Sequence, residues 1–195
     1  MTLYFIVKYL HALGAIVILG TGTGIAFFML TAHRSRDPAF IARTAATVVI
    51  ADMLFTASAV ILQPVTGGVL MALSATSLAE SWLVTSLGLY VVAGLFWIPV
   101  IFMQIEMRDL ARKAAAQQQP LPPRYFALFR RWLVFGIPGF GSVITILCFY
   151  NVRLGSFKLS CRIFIFLAAD STDLKKLHGS FVVFMMLLEF GLGRF

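Results

Sequence analysis

The chain alternates long apolar runs with short polar breaks, and the run lengths decide its class. The first run extends from about Leu3 to Thr31, interrupted only by Lys8 and His11, and stops at His33-Arg34-Ser35-Arg36-Asp37-Pro38. Roughly 20 apolar residues suffice to cross a bilayer core. The run is too long for a signal-peptide core and no small-x-small cleavage site follows, so it reads as a retained span. The second span covers Thr44 to Leu62 and contains Asp52. Gln63-Pro64-Val65-Thr66-Gly67-Gly68 is expected to end that helix, because proline and paired glycines disfavour its continuation. Val69 to Ser81 then reads as a mildly polar connection with Glu80 and no Lys or Arg.

The third span is Trp82 to Met103, with Pro99 as an expected kink. The polar stretch Gln104 to Lys113 predicts a helical extension, and Pro120-Leu121-Pro122-Pro123 a rigid turn. The fourth span runs from Trp132 to Tyr150, loosened in its first half by Gly136, Pro138, Gly139 and Gly141. The pattern predicts an all-α polytopic membrane protein: a four-helix transmembrane bundle over residues 1–152, then an atypical tail over 153–195. In that tail Ile163 to Ala169 is too short to span, and Phe181 to Phe195 is short and carries Glu189. The tail reads as an interfacial segment or as sequence foreign to the original reading frame, in preference to a partial fifth helix.

Composition agrees with the pattern. Of 195 residues, 60% are hydrophobic and 12% charged, against about 25% charged in an average soluble domain. So much apolar surface needs lipid as its solvent. The formal net charge of +8 would suggest nucleic acid in a soluble chain. Here the cations lie between apolar runs without interleaved aromatics, so topology and anionic headgroups explain them and nucleic acid is not expected. Arg34, Arg36 and Arg43 follow the first span; Arg108, Arg112, Lys113, Arg124, Arg130 and Arg131 follow the third. The positive-inside rule places both loops in the cytoplasm and the N-terminus outside. Arg153, Lys158, Arg162, Lys175 and Lys176 of the tail would then lie on the wrong side. Trp82, Trp132 and Tyr150 sit near span ends, as interfacial anchors do. Cys148 and Cys161 have no metal-site spacing and read as incidental.

Two intramembrane polar residues are candidates for chemistry. His11 lies about two turns into the first span, where an imidazole normally faces the bundle interior. Gly14, Ala15, Ile18 and Gly22 fall on nearly the same face. That face admits close packing and an interhelical hydrogen bond, or a flat cofactor with His11 as haem or metal ligand. His33 shares the face but stands about 33 Å further along at 1.5 Å per residue, so one chain cannot place both on one cofactor. A methionine such as Met53 or Met103 would have to serve as second ligand. His33 and Arg34 at the membrane edge read as headgroup contacts. Asp52, followed one turn later by Thr56, is a candidate proton or cation site; its bland reading is a neutral acid bonded to a carbonyl or hydroxyl. Gly20 and Gly24 form a small-xxx-small pair that reads as a helix-packing surface, since no strand precedes it and the P-loop Lys is absent. No nucleophile–base pair and no zinc-ligand spacing occurs.

The segment Tyr4 to Gly14 with His11, the Gly20–Gly24 repeat, Ala32-His33-Arg34, Val49 to Asp52, Gln63 to Gly67 and Leu121 to Tyr125 together resemble the integral membrane proteins of domain-of-unknown-function family 2269. The resemblance covers residues 1 to 152. It implies a four-span protein of the bacterial inner membrane with no assigned activity, in a family whose chains usually end soon after the fourth span. The Leu-His pair early in the first span and the His-Arg at its end are also similar to copper-resistance protein D and the J-type protoporphyrinogen oxidase. That second likeness implies haem b on His11. Three functions are therefore expected to compete. They are a non-enzymatic membrane component packing with itself or a larger complex, a haem- or metal-binding redox protein using His11, and a small proton-coupled transporter using Asp52.

Overall fold

The computed structural model describes residues 2–153; the tail, Cys161, His178 and the side chain of Tyr150 lie outside the described residues. Residues 1–146 form one compact unit, to which every contact below belongs. A second unit begins at Leu147, and only the end of the last helix is described in it.

The elements are α1 (Thr2–Ser35), α2 (Pro38–Ala51), a π-helical turn (Asp52–Thr56), α3 (Ala57–Ser74), α4 (Ser81–Ala116) and α5 (Pro123–Arg153). There is no strand among the described residues. The π turn joins α2 and α3 into one rod, Pro38–Ser74, so four rods are long and apolar enough to cross a membrane. At 1.5 Å per residue the 34 residues of α1 reach about 50 Å, well beyond a hydrocarbon core of about 30 Å.

The turn between α1 and α2 has only two residues, and its side chains make it. The Ser35 hydroxyl donates to Ala32 O at 2.7 Å and accepts from the Asp37 N–H at 3.2 Å. Arg36 adopts the left-handed conformation, φ 58°. Asp37 then caps α2 by accepting the Ala39 N–H at 2.9 Å, and Pro38 supplies a first helical position where no N–H is needed.

Short connections make successive rods antiparallel neighbours. His33 near the end of α1 stacks on Phe129 near the start of α5. Arg124 of α5 pairs with Glu106 of α4. Both basic turns therefore lie at one end of the bundle. The main core is gathered there, with Met29, Ile41, Met107 and Tyr125 fully buried. Burial thins toward the opposite end, and large apolar side chains face outward along every rod, among them Phe28, Leu54, Leu95 and Val134. Water would penalise such a surface; lipid does not.

Two expected boundaries differ from the structure. The helix does not stop at Gln63–Gly68 but continues to Ser74 with Pro64 inside it. The reason lies in solvent and in one tyrosine. Ending a helix inside hydrocarbon strands peptide groups at several kcal/mol each, more than the roughly 1 to 3 kcal/mol by which Gly or Pro disfavours it. Pro64 has no N–H to offer the carbonyl four residues earlier, Val60 O. The Tyr90 hydroxyl of α4 donates to that carbonyl. The other difference is that α5 begins at Pro123, more than two turns before Trp132. Pro123 opens the helix, and Tyr125, Leu128, Phe129 and Trp132 bury one face of this basic first stretch.

Tyr90→Phe is expected to lower stability by about 1 kcal/mol, because Val60 O loses its donor. In a Pro64→Ala background the loss should largely vanish, since residue 64 then donates. Reversible denaturation of the four proteins in mixed micelles, read as a double-mutant cycle, checks this.

Candidate functional site

Three polar side chains tie α1 to α3. His11 Nδ1 lies 2.8 Å from Thr66 Oγ1. The Thr66 hydroxyl has one proton and donates it to Leu62 O at 2.7 Å, shared with Gln63 O at 3.2 Å. It therefore accepts from His11, which fixes the proton on Nδ1 and leaves Nε2 as the ring's acceptor. In return Gln63 Nε2 donates to His11 O at 2.9 Å. The arrangement needs small residues around it. A Cβ on Gly14 would stand 2.9 Å from Gln63 Nε2, and one on Gly67 would stand 3.5 Å from His11 Cε1. The glycine beside His11 that matters most here is thus a seat for an amide.

His11 is not joined by the second ligands considered for a haem. His33 is at the far end of α1, its ring 3.7 Å from the ring centre of Phe129 and parallel to within 2°. Met53 is 44% exposed and turned outward, and Met103 packs against the core at the basic end. These residues do not fit a haem held between His11 and any of them. Among the described residues, no group of three His, Cys, Asp or Glu side chains is gathered as for a metal ion.

Asp52 occupies the start of the π turn, near the middle of the α2–α3 rod, and is 2% exposed. Trp97 of α4 donates its indole N–H to Oδ1 at 3.3 Å, long for such a bond. Oδ2 has no hydrogen bond, and neither has the equally enclosed Thr56 hydroxyl one turn later. A carboxyl in this position is served by one weak donor on one oxygen. Gln104, Tyr125 and Trp132 also carry enclosed unbonded polar atoms; at Asp52 the atom belongs to a carboxyl in a π turn, an irregularity frequent at functional sites.

Gly20 and Gly24 have no neighbour within 4 Å of where a Cβ would be. Their face is open within the bundle, and the glycine of that repeat in contact is Gly22, against Phe140 of α5. His33 is enclosed by Tyr125, Phe126 and Phe129. Arg34 is exposed in the last turn of α1, where a cation suits the helix dipole. Arg36 lies over the Phe126 ring at 4.9 Å.

Sequence reading missed Gln63, Thr66, Tyr90 and Trp97. The first two fell in a segment taken for a helix break. Tyr90 could have been sought as the donor that Pro64 makes necessary; nothing in the sequence points from Trp97 to Asp52.

Thr66→Val should weaken the α1–α3 contact by roughly 0.5 to 2 kcal/mol, leaving the His11 Nδ1–H without an acceptor. Thr66→Ser should keep most of it. Denaturation in detergent and exchange of the His11 ring proton by NMR read the two variants.

The family model described as "Predicted integral membrane protein (DUF2269)" matches residues 5–153. No curated protein and no solved structure matches the chain. The match takes in all four apolar rods, the His11–Thr66 contact and the Asp52 turn. The chain belongs to the DUF2269 family of integral membrane proteins.

Proposed function

We propose that this protein is a non-enzymatic component of a bacterial inner membrane, with both basic turns in the cytoplasm and the N-terminus in the periplasm. The observation that carries this reading is the use made of the intramembrane polar groups. His11, Gln63, Thr66 and Tyr90 hold helices to one another, and the Thr66 hydroxyl beside His11 gives its proton to Leu62 O and not to the imidazole. The orientation rests on Arg34, Arg36, Arg43, Arg108, Arg112, Lys113, Arg124, Arg130 and Arg131 sharing one end. The outward apolar faces, including the open Gly20–Gly24 repeat, suit the lipid bilayer and leave room for a second copy or a larger complex.

A second reading makes the protein a small proton-coupled transporter, and the unbonded Asp52 Oδ2 favours it. A haem on His11 draws support from the free lone pair on Nε2 alone. That reading would show as a Soret band in the purified protein that is lost in His11→Ala.

Orientation and function are tested on single-cysteine variants lacking Cys148 and Cys161. A membrane-impermeant maleimide applied to spheroplasts should label Ser77→Cys in the α3–α4 turn and spare Gln118→Cys in the α4–α5 turn. The reverse pattern would reject the orientation. Proton-linked flux in proteoliposomes that disappears in Asp52→Asn would displace the component reading in favour of the transporter.

A further inference from the structure

The π turn has a chemical consequence at Thr56. Many hydroxyls elsewhere in these helices bond back to the carbonyl four residues earlier. Thr47, Ser58, Thr66, Thr85 and Ser142 all do so, at 2.6 to 3.2 Å. For Thr56 that carbonyl is Asp52 O, and the wide turn gives it to the Ala57 N–H instead. The hydroxyl is left with no hydrogen bond although the residue is only 6% exposed. One turn away, Asp52 Oδ2 is in the same condition in a residue 2% exposed. Two buried, unbonded oxygens of complementary chemistry thus lie on one helix, at the spacing where side chains meet. Either oxygen can complete the pair, but only the neutral acid, donating from Oδ2 to the Thr56 hydroxyl, does so without leaving a charge buried.

The surroundings supply no other charge. Among the described residues Asp52 takes part in no ion pair. On α4, Tyr90 lies roughly 10 Å along the axis at 1.5 Å per residue and is bonded to Val60 O. Glu106 is further still and pairs with Arg124. On α1, His11 is bonded to Thr66 and His33 is stacked on Phe129 at the basic end. On the rod of Asp52 itself the nearest cation is Arg43, about 13 Å away along the axis. The cations of α5, Arg130 and Arg131, are exposed. An anion on Asp52 could accept from both the Trp97 indole and the Thr56 hydroxyl, but it would be a buried charge with no cation beside it. The neutral acid keeps Trp97 on Oδ1, donates from Oδ2 to Thr56 and leaves no charge in the membrane.

We propose that Asp52 and Thr56 form a proton-binding site within the membrane, in which the Asp52 carboxylate takes up one proton on Oδ2 and the Thr56 hydroxyl accepts its hydrogen bond. The site deepens the transporter reading of Asp52, because it names the proton acceptor and the partner that the π turn sets aside for it. Occupancy does not itself require flux, so the two ideas fail separately.

The test is infrared difference spectroscopy of the full-length protein in lipid vesicles, cycled between alkaline and acidic buffer. Acidification should bring up a carboxylic-acid C=O band that is absent from Asp52→Asn. Thr56→Val, which removes the hydroxyl at nearly constant shape, should shift that band to higher frequency, and Thr56→Ser should restore it. Absence of any such band attributable to Asp52, or a frequency unmoved by Thr56→Val, overturns the site. So does sodium ion, if at fixed pH it removes the band as alkali does, since the site would then hold a cation. A band behaving as described in a protein that moves no protons or solute retires the transporter reading and leaves the site standing. Flux without the band does the opposite.

Discussion

In hydrocarbon a polar group has only the protein to bond with, and this constraint governs the bundle from its backbone to its few polar side chains. Pro64 is the clearest case. The proline removes one donor from the α2–α3 rod, and the vacant acceptor is met by a tyrosine from the neighbouring rod. A residue that would end a helix in water instead becomes a reason for two helices to stay together. The same constraint explains why Thr66 both bonds within its own turn and accepts from His11.

The two ends of the bundle are stabilised differently. At the basic end, aromatic stacking of His33 on Phe129, the Arg36–Phe126 contact and a buried set around Met29, Met107 and Tyr125 give a dense core. Away from it, few side chains are buried, and specific polar bonds such as His11–Thr66 and Gln63–His11 take over the task of holding rods in register. Apolar packing has little driving force between helices in lipid, so interhelical hydrogen bonds and small residues carry more of the specificity there. Gly14 serves this purpose by leaving room for the Gln63 amide.

Like Gln104, Tyr125 and Trp132, Asp52 keeps a buried polar atom unbonded, and among these it is the carboxyl. Its π turn displaces a hydroxyl from its ordinary acceptor and places a carboxyl where a single long hydrogen bond serves it. A bundle selected only for stability would gain from an apolar residue at this position. The local irregularity and the under-satisfied acid occur at the same five residues, Asp52–Thr56.

Much of this was legible in the chain. Runs of apolar residues longer than a bilayer is thick specify four crossing helices, and the same residues carry the family resemblance that the match over 5–153 supports. His11 and Asp52 announce themselves because polar side chains are costly in lipid wherever the fold puts them. What the chain could not convey is which groups meet across helices. Gln63 and Pro64 look like a helix end until Tyr90 and the His11 carbonyl are brought beside them. The Gly20–Gly24 repeat marks a small-residue face, but only the packed rods show that no helix of this chain's described residues covers it. Length and hydropathy act along one helix and can be read from one segment. Hydrogen-bond partners depend on register between segments far apart in sequence, and that is decided only when the rods pack.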